Sequence, residues 1–142
     1  MDVLIDTNVI IDIAQSREPF VPAAKQLLKI DGLRFCVTAS AITDVYYLQR
    51  KHAGNSSARD FLGKLFHVFH IIEVTEADCR NALMPSMVDY EDALQSVCAR
   101  RAKCSCIITR DVKHFEGSKV PAVTPEQFLE EWNQAHAQPE SQ

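Results

Sequence analysis

The chain has 142 residues, 46% hydrophobic and 24% charged, which suits one domain with a sizeable core and excludes a disordered polymer. Its formal net charge of −4 argues against a protein that grips nucleic acid through a basic surface. It leaves open an acidic site that meets phosphate through metal ions. No apolar run reaches the length of a membrane span, and Asp2, Asp6 and Asp12 interrupt the apolar N-terminus, which lacks the basic lead of a signal peptide. The expectation is a cytoplasmic protein.

Val3-Leu4-Ile5 is a short apolar run of the kind buried in a parallel sheet, and it stops at Asp6, with Thr7 and Asn8 directly behind. Ligands of parallel α/β sheets bind at the C-terminal ends of strands. Asp6 is therefore a candidate metal or phosphate-chemistry residue, and equally a cap for the helix that Val9 to Ala14 predicts. A second helix is expected from Pro22 to Ile30, with proline in its first turn, ended by Asp31-Gly32. Leu33 to Thr38 reads as a second strand. Ala41, Ile42, Val45, Tyr46 and Leu48 form the apolar stripe of the next helix, with Ser40 as its expected N-cap and Asp44 in its first turn or so.

His52 to Ser57 reads as a loop, followed by a helix from about Ala58 to Phe69. Ile71 to Val74 is a third strand, and Thr75 with Asp78 resembles a capping box for a short helix closed by Pro85. Asp89 to Ala102 is a helix with Ala93, Leu94, Val97 and Cys98 facing inward. Cys106 to Thr109 is a fourth strand with Arg110 and Asp111 just past its end. Val120 to Thr124 allows a short edge strand, and a last helix runs to Trp132 with Pro125 at its first position. This is one domain over residues 1–134, with a polar tail, 135–142, expected to fray. Strands alternating with helices imply parallel pairing and an α/β layered fold.

The five cysteines are irregularly spaced. Cys104 and Cys106 suit small buried strand residues better than half of a zinc site. His67 and His70 have no carboxylate motif beside them and read as structural or surface residues.

Strand ends and the starts of the helices that follow them share one edge of a parallel sheet. Asp6, Asp44, Asp92 and Asp111 can thus line one rim, which becomes the crevice of the sheet if the first and fourth strands are neighbours. Like charges about 4 Å apart repel by about 4 kcal/mol at an effective dielectric near 20, so such a cluster calls for a cation. All-oxygen ligands suit Mg²⁺ or Mn²⁺, which activate water for phosphodiester hydrolysis. The competing explanation, acidic residues favoured at helix starts by the macrodipole, covers Asp44 and Asp89 well, Asp92 less well, and Asp6 and Asp111 only in part.

Asp6-Thr7-Asn8-Val9-Ile10-Ile11-Asp12, Asp92-Ala93-Leu94 and Ile108-Thr109-Arg110-Asp111-Val112-Lys113-His114-Phe115 together resemble a PIN domain, particularly the small VapC-type toxins. The resemblance runs from Met1 to about Phe128. It implies a three-layer fold around a five-stranded parallel sheet of order 3-2-1-4-5 and a metal-dependent ribonuclease site. It assigns Asp6 and Asp92 as principal metal-binding carboxylates and Asp44 and Asp111 as further acidic members. Thr7 and Asn8 would orient Asp6 or metal-bound water, with Thr109 in support. Arg110 would meet a substrate phosphate or serve as an exposed structural arginine. It also implies a homodimer, an RNA substrate and a small antitoxin, whose basic or arginine-bearing segment would suit an acidic cleft.

Two departures stand out. Asp44 occupies a position that is more often glutamate. Asp111 stands where many relatives have asparagine, and the family aspartate falls at His114. Asp89, three residues before Asp92, competes with Asp111 as the fourth acidic ligand. Outside the family, an aspartate-nucleophile phosphatase would use Asp6, but Asn8 holds the place of its second aspartate and Lys113 is poorly placed for phosphate. A catalytically inactive binding module is the third class.

Overall fold

The computed structural model describes residues 1–137. Strand β1 (Asp2–Ile5) is central because each of its inner residues, Val3, Leu4 and Ile5, is fully buried. Apolar burial on both faces is the signature of a parallel strand covered by helices on each side. It pairs in parallel with β2 (Arg34–Thr38) on one side and β4 (Cys106–Ile108) on the other. Strands β3 (His70–Ile72) and β5 (Ala122–Val123) complete a five-stranded parallel sheet of order 3-2-1-4-5, as the family resemblance implied.

Successive strand residues point to opposite faces, and the core divides accordingly. Val3, Ile5, Phe35, Val37 and Ile108 face a layer formed by α1 (Thr7–Ala14), α2 (Val21–Leu28), α3 (Ala39–Ala53), α4 (Asn55–Val68) and α7 (Pro125–Ala135). Leu4, Cys36, Ile72 and Ile107 face the other layer, where α6 (Tyr90–Arg101) contributes Ala93, Leu94, Cys98 and Ala99. Helix α5 (Glu76–Asn81) packs beside α6. Burying each large aliphatic side chain stabilises the fold by roughly 1.5–3 kcal/mol, so both layers hold the sheet.

Local signals explain most boundaries. Thr75 and Asp78 form the expected capping box, with Thr75 N donating to Asp78 Oδ2 at 2.9 Å and Asp78 N to Thr75 Oγ1 at 3.1 Å. Thr124 caps α7 ahead of Pro125. Three expectations are corrected. Helix α3 begins at Ala39 with Thr38 as N-cap, and Ser40 instead meets Thr38 Oγ1 at 3.0 Å. Asp44 therefore lies in the second turn. The expected loop over His52 to Ser57 shrinks to Gly54, whose φ of 92° admits a sharp corner between α3 and α4 without Cβ strain. The Tyr46 hydroxyl donates to the Asn55 side chain across that corner. Between Asp111 and β5, a 3₁₀ turn (Val112–Phe115) appears that the sequence reading did not propose.

Cys106 lies in β4 and Cys104 just before it, both buried. Burial pushes the Cys106 thiol up to about 12. His67 and His70 are exposed, on α4 and at the start of β3. Among the described residues no helix is long and apolar enough to cross a membrane. The polar tail expected over 135–142 begins within the last turn of α7, and residues 138–142 lie outside the described residues.

Candidate active site

The site is built from the register of β1 against β4. Ile5 is opposite Ile108, so the next residues, Asp6 and Thr109, leave the two central strands side by side at their C-terminal ends. Asp6 N donates to Ile108 O at 2.9 Å, which continues the ladder one step beyond the strand. The Thr109 hydroxyl donates to Asp6 Oδ2 at 2.8 Å, and Gln95 Nε2, from the second turn of α6, donates to Oδ1 at 3.0 Å. Thr7 N also donates to Oδ1, at 2.7 Å, as Asp6 caps α1. The two explanations of Asp6 are thus compatible: one carboxylate caps the helix and is fixed at the sheet edge. Only 7% of it is exposed.

A cavity of about 600 Å³ opens at this edge, with Asp6, Asp44 and Asp92 among its lining residues. The register and the helix starts thus bring these three to one rim. Asp44 enters from α3, exposed and with no side-chain hydrogen bond or ion pair among the described residues. Asp92 lies in the first turn of α6. Burial, then the charges of Asp89 and Asp6, push its carboxyl up to about 6. Asp89 itself is the N-cap of α6, accepting from Asp92 N at 3.0 Å. It caps the helix through one oxygen, and its charge bears on Asp92.

Asp111 reaches the site through Asn8, whose amide donates to Asp111 Oδ2 at 3.1 Å and contacts Thr109 Oγ1 at 3.4 Å. Asn8 Oδ1 accepts from Arg110 N at 3.4 Å, so Asn8 braces the loop after β4. His114 stands between two carboxylates, Nδ1 being 4.0 Å from Asp92 Oδ2 and 4.0 Å from Asp111 Oδ2. The imidazole occupies the side of the site where the family pattern places an aspartate.

Arg110, expected either to meet a substrate phosphate or to serve as an exposed structural arginine, is a partly exposed structural arginine. Its Nε donates to Asp12 Oδ2 at 2.7 Å, and its guanidinium lies 4.1 Å from the Phe20 ring centre. Asp12 is 1% exposed, and burial raises its carboxyl above the ordinary range more than Arg110 lowers it. The ion pair ties the loop after β4 to α1.

Gln95 is the residue that the sequence reading missed. Its position three after Asp92 was a usable signal, since that spacing returns to the same side of a helix. It was obscured by its neighbours, the apolar core positions Ala93, Leu94 and Val97.

Among the described residues, no three His, Cys, Asp or Glu side chains stand close enough together to hold a metal ion as they are placed. The chemistry of the donors nonetheless suits a hard divalent cation. They are carboxylates on rigid elements, and the upward shift of Asp92, caused first by burial, also carries repulsion from Asp89 and Asp6 that such a cation relieves. Asp6 and Asp92 would hold it, with Asp44 and Asp111 flanking.

Comparisons with known proteins agree with this architecture. A family model described as PIN domain matches residues 2–113. The chain is 28% identical to the ribonuclease VapC1 of Aquifex aeolicus over 139 residues, covering 92% of this chain and 95% of that one. The structure of VapBC-1 from nontypeable Haemophilus influenzae matches with a TM-score of 0.68 at 14% identity, covering 89% of this chain and 99% of that one. A toxin-antitoxin complex from Klebsiella pneumoniae matches with a TM-score of 0.67 at 23% identity, covering 87% and 97%. With a family model spanning most of its length and the sheet order and acidic edge described above, the chain belongs to the PIN domain family.

Proposed function

We propose that this protein is a metal-dependent endoribonuclease, the toxin of a type II toxin-antitoxin pair, acting in the cytoplasm with Mg²⁺ or Mn²⁺. The observation that carries the reading is Asp6, held at the end of β1 by Thr109, Gln95 and Thr7 N and facing a cleft shared with Asp92 and Asp44. The similarity to a ribonuclease VapC1 supports the activity, and the VapBC and toxin-antitoxin structures support the toxin role.

The division of labour follows from the residues. Thr109 and Gln95 each occupy one Asp6 oxygen, which fixes the carboxylate rotamer before substrate arrives. Asp92 and Asp44 add negative charge from opposite helices, and Asn8 holds Asp111 at the far side. A divalent cation bound by these carboxylates would polarise the phosphoryl oxygen and acidify a water. The acidic rim otherwise repels RNA, so the carboxylates bind substrate only with that cation. A small antitoxin presenting a basic segment would meet the same acidic rim, and the chain would act as a homodimer.

Purified protein is expected to cleave single-stranded RNA in Mg²⁺ or Mn²⁺ and to stop on chelation. Induced expression is expected to arrest growth, relieved by an adjacent gene encoding a small DNA-binding protein. Cleavage without growth arrest or such a neighbour would assign the chain to solitary RNA processing instead.

A further inference from the structure

A second cavity, of about 720 Å³, lies farther along α6 and has no part in the chemistry above. Asp92, Ser96 and Arg100 recur every four residues and so share one stripe of α6. At about 1.5 Å rise per residue, Arg100 is about 12 Å along the helix from Asp92. The two regions are continuous. Ser86 lines this cavity and also a smaller one, about 460 Å³, that contains Asp92, Lys113 and His114.

The cavity is built rather than incidental. Ser118 Oγ donates to Val120 O at 2.7 Å and accepts from Val120 N at 3.1 Å, which folds a turn around Lys119. Ser96 Oγ, 2.6 Å from Ser118 Oγ, anchors that turn to α6. Gly117 has φ +87°, and a Cβ there would stand 2.0 Å from the Ser86 carbonyl oxygen, so only glycine lets these loops close. Met84 and Val97 give the cavity an apolar wall, and Asn81 offers an amide. Arg100 and Lys119 are exposed at it and form no ion pair among the described residues. Asp78 also lines it, but three contacts of 2.9–3.1 Å from Arg101 match its charge.

We propose that this cavity is a subsite for a nucleotide of the RNA strand flanking the scissile bond. The base lies against Met84 and Val97, and the adjoining phosphates meet Arg100 and Lys119. The inference rests on the ribonuclease reading. It follows from charge complementarity in an otherwise acidic chain and from continuity with the carboxylate cleft along α6. A strand crossing Asp92 is carried past Ser86 to two cations that form no ion pair among the described residues.

The test compares wild type with an Arg100→Gln/Lys119→Gln double variant on a long single-stranded RNA and on a short oligonucleotide. For the long RNA, KM is expected to rise about tenfold, and the slope of log KM against log salt to weaken by about 1.4, at about 0.7 per lost phosphate contact. Cleavage of the short oligonucleotide should stay within about twofold. A Lys25→Gln/Lys29→Gln pair, in α2 and at its C-cap, makes the same charge change and should alter cleavage of neither substrate. An unchanged KM and salt slope in the first pair, or equal losses in both pairs, overturns the subsite. Wild-type protein that binds RNA without cleaving it overturns the ribonuclease reading; fluorescence anisotropy then reads the subsite by the same slope. Loss of binding to a labelled polyglutamate peptide, with RNA binding intact, overturns the nucleotide in favour of an acidic protein segment.

Discussion

The side-chain amide of Gln95 donates to Asp6 Oδ1 at 3.0 Å, joining the second turn of α6 to the end of β1 across 89 residues of sequence. The contact is buried, and Gln95 Oε1 has no hydrogen-bond partner among the described residues. The residue therefore orients Asp6 while leaving one acceptor unsatisfied, an arrangement that favours the site over stability.

Gln95→Leu is expected to lower RNA cleavage about 10- to 100-fold, the usual effect of removing a group that orients a ligand. Stability should change little, because the orphaned acceptor disappears together with the hydrogen bond. Single-turnover cleavage alongside thermal unfolding separates the two. Full activity in a folded Gln95→Leu protein would show that Thr109 and Thr7 suffice to hold Asp6.

Asp92, raised to about 6 chiefly by burial and then by Asp89 and Asp6, binds its proton more tightly in the folded protein than in the unfolded chain. In chelator, stability should therefore fall as pH rises from about 4 through about 6, and level off above. Asp92→Asn removes that loss. It should stabilise the chelated protein at pH 7.5 by about 1–2 kcal/mol, with a smaller gain at pH 4.5, while eliminating cleavage. Asp89→Asn keeps a competent helix cap but removes a like charge, and should move the rise of cleavage with pH to lower pH. Urea unfolding and a pH–rate profile check both.

Asp78 behaves oppositely. Hydrogen bonds from Arg101, assisted by those from Thr75, hold its carboxyl at about 2 against burial. Its contribution is complete above the unfolded value near 4 and is lost as pH falls through about 2. Arg101→Met should cost about 2 kcal/mol at pH 7, and the deficit should shrink between pH 4 and pH 2. A deficit independent of pH would assign Arg101 to packing instead.

Arg110→Ala should destabilise the fold by about 3 kcal/mol, because Asp12 is left charged and buried with only Arg17, 4.0 Å away. Asp12→Asn in that background should recover part of the loss. The double variant would fail to recover if the Phe20 stacking, rather than the ion pair, were the main contribution of Arg110.

Much of this was legible in the chain. Val3 to Ile5, the capping box at Thr75 and Asp78, and the proline opening α7 each fix an element by local chemistry. Sheet order came with the family resemblance. Tertiary context overrode the rest. Polar residues from His52 to Ser57 looked like a loop, yet Gly54 alone turns the chain between two helices. Arg110, at a strand end, was left open between a substrate phosphate and a structural role, and its partner Asp12, 98 residues earlier, gave no local signal. Gln95 could be found only by asking what supports a carboxylate at the neighbouring strand end, a question posed in space rather than in sequence.

The most direct test of the account is RNA cleavage by wild type and Asp6→Asn protein, side by side in Mn²⁺, with circular dichroism confirming that both are folded. The account predicts cleavage by wild type that chelation stops, and a loss of at least about a hundredfold in the variant. Cleavage that survives both chelation and the substitution would contradict it.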